Sequence, residues 1–154
     1  MQDGQNQYLL FLVDGHYYAV EALKISEIVE FESYTKVPMM QSFVMGVTNI
    51  RGSIIPIIDL KDRFGFGVSK IDKKSSIAVV NQEFESENIQ IGFLVDEVYE
   101  VAEIENSKLK TAPEFGSKID GRFIDVMGKF GDDYIPILNI SSVLDVNELS
   151  KLVA

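Results

Sequence analysis

Tyr8-Leu9-Leu10-Phe11-Leu12-Val13 is an apolar run of strand-forming residues, Asp14-Gly15 follows, and His16-Tyr17-Tyr18-Ala19-Val20 is a second apolar-aromatic run. Two such runs about Asp-Gly predict a β-hairpin. Glu21 to Ile25 predicts a short helical turn, and Glu27-Ile28-Val29-Glu30-Phe31 alternates charged and apolar residues as a half-buried strand does. After the loop signal Val37-Pro38, Gly46 to Arg51 and Ile54 to Ile58 predict two strands around a tight turn at Gly52. Asp59 is placed to cap a short helix through Phe64, which Gly65 ends.

Val68 to Ser76 is polar and basic, with Lys70, Lys73 and Lys74, and predicts an exposed connector. Ile77 to Val80 and Ile89 to Val95 predict strands around an acidic loop, Glu83 to Asn88, and Val98 to Ile104 alternates again. Lys108 to Gly121 holds Pro113 and Gly116 without strong periodicity and reads mostly as loop. Phe123 to Phe130 and Tyr134 to Leu138 predict a hairpin over Gly131-Asp132-Asp133. Asn139 then caps a short helix, and Val146 to Val153 is read as a short C-terminal helix. Many short strands between turn signals, with no long amphipathic helix, define an all-β sandwich or pair of small barrels.

A repeat sharpens this. Ile54-Ile55-Pro56-Ile57-Ile58-Asp59-Leu60 matches Tyr134-Ile135-Pro136-Ile137-Leu138-Asn139-Ile140 at an offset of 80. A weaker echo relates Tyr18-Ala19-Val20 through Glu30 to Gly92-Phe93 through Glu103. The expectation is two similar lobes. Because proline cannot donate to a ladder, Pro56 and Pro136 are expected on edge strands or at bulges.

Composition narrows the function. The 154 residues include 14 Lys and Arg and 24 Asp and Glu, a net charge of −10. Such a chain repels phosphate backbones and anionic lipid, so nucleic acid and bare membrane are poor partners. There is no Cys, which removes disulfides, thiolate nucleophiles and Cys-based metal sites. Met1 to Gln7 lacks the pattern of a signal peptide, and runs such as Ile54 to Ile58 are too short to span a bilayer. A cytoplasmic location without membrane insertion is expected.

Catalytic chemistry has little to build on. His16 is the single histidine and reads as a solvated hairpin residue. Gly65-Phe66-Gly67 lacks the rest of a dinucleotide fingerprint. Adjacent carboxylates such as Asp96-Glu97 point to opposite faces of a strand, and Asp132-Asp133 fits turn chemistry. We expect no enzyme, no metal and no cofactor. A ligand-binding barrel and a carboxylate hydrolase stand as rival classes, the former requiring a large enclosed apolar cavity and the latter a convergent acid-base pair.

The stretch Gly46-Val47-Thr48-Asn49-Ile50-Arg51-Gly52-Ser53-Ile54-Ile55-Pro56-Ile57-Ile58-Asp59-Leu60 resembles the signature of the CheW family. Leu23 to Ile28, Gly92 to Val98 and Ala112-Pro113-Glu114-Phe115 follow the family order, so the resemblance covers about Gln7 to Leu144. It implies two five-stranded, SH3-like β-barrel lobes packed on a shared hydrophobic core, with short helices. Residues 7–146 would form a single CheW-like domain and 147–154 a C-terminal helical tail. It implies an adaptor that couples the cytoplasmic tip of chemoreceptors (methyl-accepting chemotaxis proteins) to the regulatory domain of the histidine kinase CheA in chemotaxis arrays at the membrane. The chain would be monomeric when isolated. A paralogue serving a different chemosensory pathway is the alternative.

By the same resemblance Arg51, Ile25, Glu27 and Ile77 lie at receptor and kinase contacts, and Phe115, Glu114 and Lys110 at a second kinase interface. Each has a plainer reading. Arg51 could form an internal ion pair with Glu27 or Asp59, Ile25 and Ile77 could be core, Glu27 a solvated strand charge, and Phe115 could tuck into its own lobe.

Overall fold

The computed structural model describes residues 5–113 and 119–149, with side chains from Gln7 onward. Its strands are β1 (Gln5–Val13), β2 (His16–Glu21), β3 (Ile25–Glu30), β4 (Val44–Ile50), β5 (Ser53–Asp59), β6 (Ser76–Phe84), β7 (Glu87–Val95), β8 (Glu97–Glu105), β9 (Leu109–Lys110), β10 (Ile124–Phe130) and β11 (Asp133–Leu138). Three short helices accompany them: α1 (Leu60–Arg63), α2 (Ile140–Val143) and α3 (Val146–Leu149).

The strands form two sheets, ordered β3-β6-β7-β5-β4 in lobe 1 and β8-β1-β2-β11-β10-β9 in lobe 2. Apart from the two-residue β9, the orders correspond strand for strand, and each has one parallel pair: β5 with β7 at Ile57↔Gly92, and β11 with β2 at Ile137↔Ala19. Small residues sit at both crossings. A Cβ on Gly92 would lie 2.6 Å from Ile77 Cγ2, so glycine lets the strands close here. The repeat extends to single hydrogen bonds: Asp59 N–H donates to Phe43 O at 2.8 Å, and Asn139 N–H to Phe123 O at 2.7 Å. Each capping side chain then starts its helix, Asp59 accepting from Lys61 N–H and Asn139 from Ser142 N–H.

The two repeats exchange strands. The first, β1 to α1, places β1 and β2 in lobe 2 and β3 to β5 in lobe 1. The second, β6 to α2, places β6 and β7 in lobe 1 and β8, β10 and β11 in lobe 2. The N-terminal strand β1 thus belongs to lobe 2, with the last strands of the chain.

Three clusters fill the interior. Ile50, Ile55, Ile57, Ile77, Val79 and Leu94 fill lobe 1. Tyr8, Leu10, Ala19, Ile104, Ile135 and Ile137 fill lobe 2. The largest cluster lies between them and takes Leu9, Phe11, Val20, Ile58, Phe93 and Leu138 from both sheets. Successive β1 side chains thus enter different cores, Leu10 the lobe interior and Leu9 and Phe11 the shared one. Buried on both faces, β1 has an unbroken apolar run where one solvated face would give alternation.

The proline expectation fails. β5 runs between β7 and β4, and β11 between β2 and β10, so neither is an edge. The bulges lie on the partner strands, where Met45 slips out between Val44↔Ile58 and Gly46↔Ile57, and Asp125 between Ile124↔Leu138 and Val126↔Ile137. The ladder to the parallel neighbour begins at Ile57 and Ile137, one residue after each proline, so the missing donor interrupts nothing. The central hairpin is also longer than its sequence indicated. β6 and β7 run to Phe84 and from Glu87, because Glu85 and Ser86 both take positive φ, 50° and 66°, and make a two-residue turn.

Candidate interaction site

Arg51 and Gly52 are the central residues of the β4–β5 turn, with φ of 52° and 88° between the paired Ile50 and Ser53. Both lie in the left-handed region, as the hairpin twist requires. The preceding Asn49 braces the turn by accepting Gly52 N–H at 2.9 Å. Holding a branched-free but bulky arginine there carries a backbone penalty of about 1–2 kcal/mol. At the tip of this turn the side chain is 82% exposed.

The guanidinium Nε lies 3.1 Å from Glu27 Oε2 on β3, and that oxygen has no aligned hydrogen bond. The contact is an ion pair by distance between an exposed guanidinium and a largely covered carboxylate, and with one partner open to water it is worth about 1 kcal/mol. The alternative partner is occupied elsewhere. Asp59 is buried, and it accepts from Lys61 N–H at 3.1 Å and Ser69 N–H at 2.8 Å. Arg51 therefore adds little to the fold and stays available.

Arg51 borders a hollow of about 400 Å³ lined also by Val29, Glu30, Thr48, Asn49 and Ile77. The structure thus brings Arg51, Glu27 and Ile77 to one side of lobe 1. Ile77 is only 2% exposed and belongs chiefly to the lobe interior. Ile25 stands at the start of β3 opposite Val80 and packs half-buried on the shared core. Lys110 is exposed on β9, opposite Met127 at the far edge of lobe 2. Glu114 and Phe115 lie outside the described residues.

Two apolar grooves occupy equivalent places in the lobes. Lobe 1's, about 390 Å³, is lined by Met40, Val44, Ile54, Pro56, Ile58 and Ile89, with α3 contributing Val146 and Leu149. Lobe 2's, about 420 Å³, is lined by Tyr17, Ile124, Tyr134 and Pro136, with Pro113 and Ile119 at its margin. Both are open to solvent, unlike the enclosed cavity a ligand-binding barrel requires. Neither groove was singled out from the sequence, although Ile54/Tyr134, Pro56/Pro136 and Val44/Ile124 all share the offset of 80. Beside the second groove, Tyr99 meets Tyr17 edge-on at 5.3 Å and Phe130 at 6.4 Å.

Arg63 was also missed. Its side chain is 3% exposed and sits 4.7 Å from each of the Phe43 and Phe123 rings, themselves 80 positions apart. It donates to Val143 O at 2.8 Å, Ser142 O at 3.1 Å and Glu148 Oε1 at 2.6 Å. Arg122 grips the same carboxylate at 2.8 and 3.1 Å. Hydrogen bonds from Arg122 first, then Arg63, hold the Glu148 carboxyl down at about 2. Burial is the main force raising the Asp96 carboxyl above its usual range, against the Asp14 N–H it accepts at 2.7 Å.

His16 is exposed, as its hairpin position implied, and Gly65 and Gly67 take φ of 89° and 92° as helix-stop residues do. Among the described residues, no three His, Cys, Asp or Glu side chains gather as a metal site, and no helix is long and apolar enough to cross a membrane.

Two barrel-like lobes locked on one core, each opening an apolar groove at the same topological place, define a two-lobed SH3-like β scaffold. The CheW-like domain profile matches residues 7–148, and the chain belongs to that family. Chemotaxis protein CheW of Helicobacter pylori is 32% identical over 139 residues, covering 90% of this chain and 81% of that protein. The corresponding protein of Bacillus subtilis is 28% identical over 137 residues, covering 89% and 85%. The crystal structure of the scaffolding protein TtCheW from Thermoanaerobacter tengcongensis matches with a TM-score of 0.82 at 31% identity, over 96% of this chain and 92% of that one.

Proposed function

We propose that this chain is a non-enzymatic adaptor that couples chemoreceptors to the histidine kinase CheA, recruited from the cytoplasm to membrane-associated arrays. The carrying observation is the two-lobed scaffold itself, matched by the family profile across residues 7–148. In this reading residues 7–146 form the working domain and 147–154 its tail. Arg51, Glu27, Ile25 and Ile77 serve the receptor and kinase contact on lobe 1. Lys110, Glu114 and Phe115 serve a second kinase contact.

The exposed guanidinium on its strained turn supports the first contact, since it can fork to a partner carboxylate or to backbone carbonyls. The apolar lobe 2 groove, with Pro113 and Ile119 in its lining, supports the second by offering a hollow that apolar side chains of a partner can enter.

The test is co-sedimentation of the full chain with receptor cytoplasmic fragments and the cognate kinase, with kinase activity as readout. A ternary complex with altered kinase activity is expected. No complex and unchanged activity would overturn the assignment.

A further inference from the structure

A local reversal of charge lies outside the sites above. The chain carries −10 overall, yet the connector from Gly65 to Ser75 holds Lys70, Lys73 and Lys74 against the single carboxylate Asp72. The connector is pinned. Asp59 accepts Ser69 N–H at 2.8 Å and also the Ser69 hydroxyl. Asp72 N–H donates to Ser75 Oγ at 2.9 Å, Lys74 N–H donates to Asp72 Oδ1 at 2.8 Å, and Phe66 packs on the shared core. Held so, it presents two apolar side chains to solvent, Val68 at 72% exposure and Ile71 at 43%. Lys74 pairs with Glu97 at 3.3 Å, while Lys70 and Lys73 have no ion-pair partner among the described residues.

The opposite character appears at the far end of the same hairpin. There the lobe 1 groove is apolar, with Ile54 on its wall 65% exposed. Its β7 wall starts at Asn88, which faces Glu83 across the ladder, and Glu85 and Glu87 complete the exposed tip. One surface offers two apolar knobs flanked by free ammonium groups, and the other an apolar hollow bordered by carboxylates.

These surfaces cannot meet within one molecule. Ser76↔Val95 closes the hairpin at the connector and Phe84↔Glu87 closes it at the tip, a separation of about 27 Å at the rise of an extended strand.

We propose that the connector of one copy docks into the lobe 1 groove of a second copy. Val68 and Ile71 enter beside Met40, Ile54 and Ile89, and Lys70 and Lys73 face Glu83, Glu85 and Glu87. The contact uses different surfaces on the two copies, so it propagates head to tail into open chains or closed rings. It is a small contact and therefore a weak, transient one. It revises the expectation of an isolated monomer, and it stands apart from the coupling role.

Sedimentation velocity of the full chain tests it over a concentration series at about 0.01 M and about 1 M NaCl, between which the screening length falls from about 30 to about 3 Å. The weight-average sedimentation coefficient should climb with concentration at low salt and stay near the monomer at high salt. The discriminating arm uses Lys70→Glu/Lys73→Glu and Glu83→Lys/Glu85→Lys chains, each verified as folded by thermal melting. Each alone sets like charges against each other and should self-associate about tenfold more weakly or worse. Mixed equally, the two place opposite charges at every contact and should associate again. A monomer under all conditions, self-association undiminished in either variant, or no recovery on mixing would overturn the proposal.

Discussion

Replacing Arg63 by Ala should be the most damaging single change away from the apolar cores. The side chain reaches from α1, on lobe 1, to the carbonyls of Val143 and Ser142 in the last turn of α2, which follows lobe 2. Each bond is charge-assisted, worth about 1.5–3 kcal/mol net. The stacks on Phe43 and Phe123 add about 0.5–2 kcal/mol each at this depth. These contributions overlap, because one group makes them all, and desolvating the guanidinium offsets part of the total. The expected loss is about 3–5 kcal/mol, the usual result of breaking a buried charged network. For a chain of this size that lowers Tm by roughly 10 °C. Arg63→Lys keeps a charge near Glu148 but loses the planar stacks and the fork, so it should fall between. Thermal and urea unfolding followed by circular dichroism decide the matter. An Arg63→Ala chain within about 1 kcal/mol of the parent would refute the view that this residue locks the lobes.

The same network sets an acid limit. Glu148 has its carboxyl held at about 2 against an ordinary 4.5, so its contribution is complete above pH 4.5 and disappears as the pH falls toward 2. Discounted for its partly open side, this is about 1–2 kcal/mol, and Glu148→Gln should flatten that segment of the stability profile. Arg51→Gly should leave stability within about 1 kcal/mol of the parent, since relief of the left-handed backbone offsets glycine's greater freedom in the unfolded chain. It should nonetheless weaken assembly with receptor and kinase, and undiminished co-sedimentation would count against Arg51 as a contact. Gly46→Ala should destabilise by more than about 2 kcal/mol, or prevent soluble expression, because a Cβ would collide with the Thr35 carbonyl oxygen. Urea titration would measure the loss, and a mild effect would mean the segment carrying Thr35 can move aside.

What could be read from the chain followed the reach of each signal. Asp14-Gly15 and Arg51-Gly52 announced their hairpins because a two-residue turn is written in adjacent residues. Asp59 and Asn139 announced their helices because a cap acts two or three residues away. The placing of β3 beside β6 and β8 beside β1 has no local mark, since it joins strands about 50 and 90 residues apart in sequence. Pro56 and Pro136 misled for a related reason: an interior strand tolerates proline when its second ladder starts one residue later, which depends on the register of a distant neighbour. Arg63 sits in an ordinary polar helical turn, and only the match of Phe43 with Phe123 at the offset of 80 hinted that two rings would close on it. Around Arg51 the motif announced the turn, and the structure supplied what spacing could not: the side chain is exposed, and of its two candidate partners it pairs with Glu27.

The exchange of strands between repeats also limits how the molecule can come apart. A single cut in the connector between α1 and β6 would leave two fragments, each woven into both sheets, so neither lobe could leave with its own piece. Nor can the lobes swing like beads on a string, because β2 passes into β3 and β7 into β8 through links of three residues and one residue. Pulling one lobe away from the other loads the ladders of both. A partner that grips lobe 1 therefore holds lobe 2 at a fixed pitch, which makes the molecule a rigid angle piece whose geometry is set before anything binds.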